Sequence, residues 1–577
     1  MKITWSLNEL KKYSKISNKA AHILCLYFLA ISFLEISAYK QQGIFSVIAS
    51  RIWLFTGIFL ITMFVCLSIS IIIKDIKTRK FKCLFVYLLL FVFLYTMIGN
   101  LNYADINADA AQQTAAGITA MKSTDWNYTG TAFLGYPARQ YIIAALPSLL
   151  LGRSIYAFHL GFAFPFLIGL TLIYFELRKW LENSGLKEEY ALLPVYSIVA
   201  FRFIAEYYLN FEQAITPVAL TMICSALLLK MIRQPDTITA IALSWCGCLC
   251  VDSYTPVLAY LGLLGCLILI YSIYLLKTNY SEIKTNHIHA KIFPVFKCFL
   301  GIEITFLFFF IATILGNRGD RITETRTDIS ISTFFLDTWK DFFTDKNAIF
   351  LGMFSGIILL YLLLAISFRL KFYDFIIACW TLMVVFLSQY MVGYTSYEKQ
   401  WILQRNMIII PVLVLAFSFA TGRMLIQKQL IIENHTLIAG LLVLGLTSYW
   451  GFGQPHQSFT YFQYVQPMKY AISCTEDILK EKQCTVNAPF NLVLITDNAL
   501  QSNIYDYASY FFPNAAALSS STEEINPSIF QELDLNELTI VISENKETIE
   551  NYCSDIKEQI YSDSRYHEEI TWYWSII

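Results

Sequence analysis

Apolar runs of about twenty residues recur along this 577-residue chain, and they constrain its fold more than any other feature. A helix of that length crosses roughly 30 Å of hydrocarbon. Hydrophobic residues make up 56% of the chain and charged residues only 15%, so a soluble fold would lack enough polar residues to cover its surface. The sequence therefore predicts a polytopic α-helical membrane protein.

The apolar runs predict about thirteen transmembrane helices. They lie near residues 20–38, 52–73, 83–99, 155–175, 190–204, 214–230, 237–251, 256–276, 294–315, 349–368, 374–392, 406–422 and 436–452. Basic residues cluster at the N-terminus and in alternate connectors, among them 74–82, 176–180, 230–234 and 277–297. Because basic connectors tend to stay in the cytoplasm, these segments are predicted to be cytoplasmic and the 100–154 loop extracytoplasmic.

The distribution of charge and of strand-like segments predicts that the chain is divided into three regions. Residues 1–82 hold a cytoplasmic segment and two transmembrane helices, and residues 83–452 form the main transmembrane domain with its first outer loop at 100–154. Residues 453–577 carry 6 basic and 18 acidic residues, whereas the rest of the chain carries 36 and 25. Strand-like stretches at 490–498, 537–545 and 569–577 predict a small extracytoplasmic α/β domain there, in which Cys474 and Cys484 could form a disulfide.

The first outer loop contains the strongest candidate site. Asp105 and Asp109 follow an apolar span and are four residues apart, so on a helix they share one face. They either solubilise a helix at the interface or form a site. Downstream, "YIIAALPSLLLG" is too short to span and is broken by Pro147 and Gly152, which predicts a helix at the membrane surface. An acidic amphipathic helix beside a membrane-surface helix suits a substrate with a lipid tail and a polar head.

These motifs, in this order, resemble the first outer loop of the GT-C glycosyltransferases. The likeness is to glycosyltransferase family 39, which includes protein O-mannosyltransferases and lipid A aminoarabinose transferases. Asp109 with "AAQQTAAG" stands at that family's acidic position, Tyr136–Pro137 at its proline pair, and 151–154 at its LFG-S element. Segments 210–234 and 401–423 resemble later family elements, so the likeness covers roughly 83–450. Two departures are Ala108 in place of a second acid and Gly135 in place of a lysine.

The resemblance implies transfer of a sugar from a polyprenyl-phosphate donor to a lipid, glycan or protein acceptor at the extracytoplasmic face of the cell membrane. It implies Asp109 as the general base, with Asp105 as its backup or as an acceptor-orienting partner. Arg405 would hold the leaving phosphate, because a guanidinium can bind phosphate oxygens in pairs, and Lys399 and Arg139 would assist. The arginines could instead only extend to the interface.

Aromatic and acidic residues complete the predicted site. Trp126 and Trp401 are placed to stack on a sugar, and Tyr136 and Glu212 are predicted to contact substrate, although short-loop polarity explains Glu212 equally well. No metal cluster with ligand spacing lies on the outer face, so the predicted transfer uses no metal or other cofactor. Nothing in the sequence predicts a nucleic-acid partner.

Two other classes of membrane protein are alternatives. Polysaccharide polymerases and ligases carry catalytic arginines and histidines in a large late outer loop, whereas the late loops here are modest. A lipid or glycan transporter would favour internal repeats and charges at mid-membrane. The chain has no evident repeat, and Glu35 and Glu303 are its only clear mid-span charges.

Overall fold

The structure of the protein is a computed structural model. It describes residues 17–39, 43–99, 108–122, 142–183, 187–192, 195, 212–252, 256–278, 280, 284, 293–314, 468–496, 504–520, 531, 533–534, 536–563 and 568–577. Within these ranges, eight predicted spans coincide with helices. Most of the predicted span 190–204 lies outside the described residues, as do those at 349–368, 374–392, 406–422 and 436–452. The total of thirteen therefore stays a prediction.

The helices of the membrane part follow the apolar runs closely. In chain order they are α1 (Asn18–Tyr39), α2 (Gly43–Lys77), α3 (Phe81–Gly99), α4 (Ala108–Lys122), α5 (Ile142–Leu151), α6 (Ile155–Asn183), α7 (Glu212–Arg233), α8 (Thr237–Asp252), α9 (Pro256–Thr278) and α10 (Phe293–Ile314). Lysine or arginine occupies the last turn of α2, α7 and α9. Cations are favourable there because the carboxyl end of a helix carries partial negative charge.

Two described helices are long and apolar enough to cross a membrane by length and composition: Arg51–Lys77 within α2, and α6. Their surroundings differ. In the most apolar part of α6, 72% of the residues are buried inside the protein, against 6% in α2. Helix α6 is therefore central to the bundle, and α2 lies at its periphery.

Contacts between helices agree with the predicted alternation of direction. The Cys25 thiol donates to the Lys297 carbonyl oxygen at 3.3 Å, so α1 and α10 begin at the same end of the bundle. The Tyr174 hydroxyl donates to the Cys83 carbonyl oxygen at 2.9 Å, so the end of α6 lies beside the start of α3. We call the end of the bundle at Ile155 the outer end and the end at Arg178 the inner end, after the sides that the sequence predicts.

The C-terminal region folds as a sheet with helices. Its elements are α11 (Met468–Glu481), β1 (Phe490–Ile495), α12 (Ile504–Phe511), β2 (Ala515–Ser520), β3 (Thr539–Ser543), α13 (Lys546–Glu550), β4 (Lys557–Asp563) and β5 (Glu568–Ile576). The strand order is β2-β1-β3-β5-β4. Strands β2, β1 and β3 are parallel, and β5 is antiparallel to both β3 and β4. The three predicted strands are confirmed as β1, β3 and β5.

Both faces of the central strands are covered. Leu492 and Leu494 belong to a core that continues into the membrane helices, whereas Val493 and Ile495 pack with Leu533 and Ile549 of α13 on the other face. Parallel strands that are buried on both faces have nearly continuous hydrophobic sequences, which explains the sequence "FNLVLI" of β1.

The disulfide that the sequence allowed is not formed. Cys474 and Cys484 are both free thiols in the structure. Cys474 is buried on α11, and burial raises its pKa to about 12, so it packs as a small apolar side chain.

Candidate active site at the outer end

Helix α4 begins at the predicted general base, since Asp109 is its second residue. From Ala110 to Ile118 every residue except Gln112 is buried. The prediction of an amphipathic helix is therefore wrong: protein encloses α4 on nearly all sides. Its alanines explain the burial, because small side chains let neighbouring helices approach closely. The burial of residues 110–118 shows that α4 packs as part of the bundle, and the role of the two aspartates stays a prediction.

Gln113 lies one turn after Asp109, and residues four apart are neighbours on a helix surface. Its side chain is 2% exposed, and among the described residues no donor reaches its Oε1 atom. The buried Oε1 atom of Gln112 also has no donor there. An unsatisfied buried acceptor costs about 1–3 kcal/mol, which a bound hydroxyl group would offset. Gln113 is not among the residues predicted from the sequence, although two glutamines within a run of alanines are a visible signal.

Helix α5, predicted from its length and its breaking residues, is confirmed and packs between α4 and α6. Its apolar residues Leu150 and Leu151 are 83% and 66% exposed, as suits a helix at a lipid surface. On its other side the approach to α6 is very close. A Cβ atom added at Gly161 would lie 1.9 Å from the Ala144 carbonyl oxygen, so only glycine fits at this position.

A tight turn joins α5 to α6 and carries the LFG-S-like element. Gly152 has a φ of +85°, a conformation that glycine adopts without strain. The Ser154 hydroxyl then accepts a hydrogen bond from the Ala157 amide at 3.2 Å and so caps the start of α6. The turn places Arg153 beside the C-terminal domain.

The C-terminal domain docks onto this turn through α12. Arg153 Nη1 donates to the carbonyl oxygens of Ser509 at 3.1 Å and of Tyr510 at 2.8 Å. These carbonyls lie in the last turn of α12, where the helix itself offers no donor. The hydroxyl oxygens of Ser148 and Tyr510 are 2.6 Å apart, and both side chains are buried. We call Ser148, Arg153 and Tyr510 the clamp.

Burial determines the protonation of the clamp. It raises the pKa of Tyr510 to about 12, although the hydrogen bond with Ser148 acts in the opposite direction. The hydroxyl therefore keeps its proton at neutral pH. Burial also lowers the pKa of Arg153, but a guanidinium stays charged at neutral pH.

Aromatic packing extends the clamp to the membrane helices. The Phe158 ring, in the first turn of α6, lies edge-on to Tyr510 with 5.3 Å between ring centroids, and its centroid is 6.4 Å from that of Phe511. Helix α12 also packs against α4. Helix α4, which carries Asp109, thus packs between α5 and the C-terminal domain.

Two of the predicted site residues lie in described elements. Asp109 is in the first turn of α4, and Glu212 is the first residue of α7. Helices α4 and α7 are in contact, so these residues belong to neighbouring helices. The remaining predicted site residues lie outside the described residues, and their roles stay predictions: Asp105, Trp126, Tyr136, Arg139, Lys399, Trp401 and Arg405.

No known protein family and no curated protein matches the sequence. Comparison with solved structures finds a likeness at low identity to structures of ArnT. One match is the crystal structure of ArnT from Cupriavidus metallidurans bound to undecaprenyl phosphate, which is 12% identical with a TM-score of 0.48 and covers 85% of this chain and 98% of that chain. A second match is the crystal structure of the same ArnT in the apo state. It has 13% sequence identity and a TM-score of 0.46, and the match covers 85% of this chain and 97% of that chain.

The likeness to these structures extends over most of the chain, at 12% and 13% identity.

Proposed function

We propose that this protein is an integral membrane glycosyltransferase, which transfers a sugar from a polyprenyl-phosphate donor to an acceptor at the extracytoplasmic face. The observation that carries the proposal is the enclosure of α4 at the outer end. A helix with an acidic residue in its first turn lies between α5, α7 and α12. The loop motifs that resemble glycosyltransferase family 39 begin at this same helix.

In the proposed reaction, the bond between the anomeric carbon and the phosphate oxygen breaks, and a bond to the acceptor oxygen forms. The acceptor hydroxyl loses its proton, and Asp109 takes it. The place of Asp109 in the first turn supports an ionised carboxylate, because the amino end of a helix favours negative charge. Gln113 supplies an amide oxygen that accepts a hydrogen bond from a substrate hydroxyl.

The leaving group is a lipid-linked phosphate that gains negative charge, and cations must lie beside it. We assign Arg405 to this role, with Lys399 and Arg139 in support, from the resemblance and from their predicted outer position. Trp126, Trp401 and Tyr136 would hold the sugar ring, and Glu212 would line the cavity. The exposed leucines of α5 offer an apolar surface to the lipid tail of the donor.

The test is an assay of donor loss. Purified full-length protein is incubated with a panel of polyprenyl-phosphate sugars and a cell-envelope extract as the source of acceptor. We expect one donor to be consumed, and Asp109→Asn to lower the rate by about 10²- to 10⁴-fold, the usual size of a general-base contribution. Asp477→Asn, at an exposed position of α11, is the control and should be neutral.

Two results would contradict the proposal. If no lipid-phosphate sugar is consumed by the wild-type protein, the reaction class is wrong. If Asp109→Asn turns over at the wild-type rate, Asp109 is not the base.

A further inference from the structure

A cavity of about 230 Å³ lies at the inner end, between α2, α6 and α7. One water molecule needs only roughly 10–15 Å³ of such space, so the cavity has room for a much larger group. It lies at the opposite end of α6 from the clamp. The proposed sugar transfer makes no use of it.

The lining of the cavity changes from apolar to basic in the same direction on all three helices. On α2, Leu67 and Ile71 precede Lys74. The same order holds on the other two helices, with Leu172 and Phe175 before Lys179 on α6, and Ala226 and Leu227 before Lys230 on α7. Because these helices all end here, the apolar wall lies toward the membrane centre and the lysines lie at the inner rim. A phospholipid has the same order, with apolar chains below a charged headgroup.

Three carboxylates also line the cavity, but arginines engage them. Arg178 donates to both oxygens of Asp75, at 2.6 and 2.5 Å, and to Glu188 at 2.6 Å. Arg233 donates to both oxygens of Glu176 at 2.7 Å. Lys80, which is not part of the lining, also donates to Glu188. The three carboxylates are thus balanced by two arginines and Lys80, which leaves the three lysines of the lining as its excess charge.

The three lysines are available to an anion. Lys74 is exposed, and no described carboxylate forms an ion pair with it. Lys179 pairs with exposed Glu182, and Lys230 with Asp236 at 3.3 Å. Such pairs near the surface are weak, so a phosphate can compete for both ammonium groups.

The cavity also borders the lipid. Leu67, in its wall, is 39% exposed, and only 6% of the most apolar part of α2 is buried in the protein. We propose that this cavity binds an anionic phospholipid from the membrane leaflet at the inner end. Lys74, Lys179 and Lys230 surround its phosphate, and its chains run along Leu67 and Ile71. Helix α2, which precedes the glycosyltransferase-like region, then has the role of closing a lipid site.

Native mass spectrometry of the purified full-length protein tests the proposal. Phosphatidylglycerol should bind about tenfold to 100-fold more tightly than phosphatidylcholine, as three lysines near one headgroup imply. The triple variant K74Q/K179Q/K230Q should bind the two lipids equally. Leu67→Trp fills the cavity without changing its charge and should weaken phosphatidylglycerol binding as well.

Matched variants separate this site from general surface charge. K19Q/K77Q/K277Q removes three exposed lysines that do not line the cavity, and Ile69→Trp adds the same bulk at an exposed position of α2. Both should bind phosphatidylglycerol like the wild type. Equal loss in K19Q/K77Q/K277Q and the cavity triple variant would overturn the proposal, as would equal wild-type affinity for the two lipids. Displacement of phosphatidylglycerol by an equal concentration of glycerol phosphate would also overturn it, because the ligand would then be a soluble phosphate.

Discussion

At the inner end, Arg178 binds buried Asp75 through two hydrogen bonds of 2.6 and 2.5 Å, whereas at the outer end Tyr510 and Ser148 share one neutral hydrogen bond of 2.6 Å. Parting the inner pair would leave a charge in a buried place, and parting the outer pair would leave only hydroxyl groups. The first costs several kcal/mol and the second about one. The inner pair is therefore an ion pair that is costly to part, whereas the outer pair is neutral and relies on Arg153, which donates to two carbonyl oxygens of α12, for its charged contacts.

Loss of the inner arginine should have the largest effect on stability. Arg178→Ala leaves Asp75 buried, at 1% exposure, without its partner, and it also removes a hydrogen bond to Glu188. We expect a loss of about 3–5 kcal/mol in the free energy of unfolding. Thermal unfolding of the detergent-solubilised protein measures it. Lys179→Ala, at the next residue and with a half-buried side chain, should lose less than about 1 kcal/mol. Equal losses of unfolding free energy in the two variants would show that the Arg178–Asp75 pair does not stabilise the inner end more than a surface ion pair does.

A smaller effect is expected at the clamp. Tyr510→Phe removes the hydroxyl that bonds to buried Ser148 and should loosen α12 by about 1 kcal/mol. Hydrogen exchange of residues 504–511 measures the loosening, and Tyr505→Phe, at an exposed position on the same helix, is the control. The double variant with Ser148→Ala should recover part of the loss, because no hydroxyl then stays unpaired. If the double variant loses as much as the two single losses combined, the two hydroxyls do not act as a pair.

The smallest expected effect is a loss of stability in acid at the inner end that the outer end does not show. Burial acts to raise the pKa of Glu188, but hydrogen bonds from Lys80 and Arg178 outweigh it and hold the pKa below its usual value. The stability that Glu188 contributes is therefore complete above its ordinary pKa of 4.5, and it is lost as the pH falls through the lowered value. Hydrogen exchange, corrected for its intrinsic pH dependence, should rise in residues 187–192 below pH ~4.5, but not in residues 508–511, which carry no acidic side chain. An equal rise in hydrogen exchange in both segments would contradict a charged inner end and a neutral outer pair.

Sequence patterns predicted the elements better than the contacts between them. The spans that became α1–α3 and α6–α10 were evident because each is a long apolar run, and β1, β3 and β5 because of their β-branched and aromatic residues. Strand β2 is "AAALSS" and β4 is "KEQIYSD", which lack that composition, so neither was predicted. Burial of α4 was missed because its neighbours include α12, from the far end of the chain.

The same limit applies to the site. Ser148 and Tyr510 are 362 residues apart and Asp75 and Arg178 are 103 apart, and no local pattern links such partners. The sequence indicated Asp109 through its resemblance to a known loop. It could not indicate that α12 supports the helix on which Asp109 lies.

The central claim is that α4, the clamp and the C-terminal domain lie together on the extracytoplasmic side. A dual reporter fused after Ile577, with alkaline phosphatase active only outside and a fluorescent protein active only inside, tests it most directly. We expect phosphatase activity without fluorescence. Fluorescence without phosphatase activity would place the domain and the proposed active site in the cytosol and contradict the account.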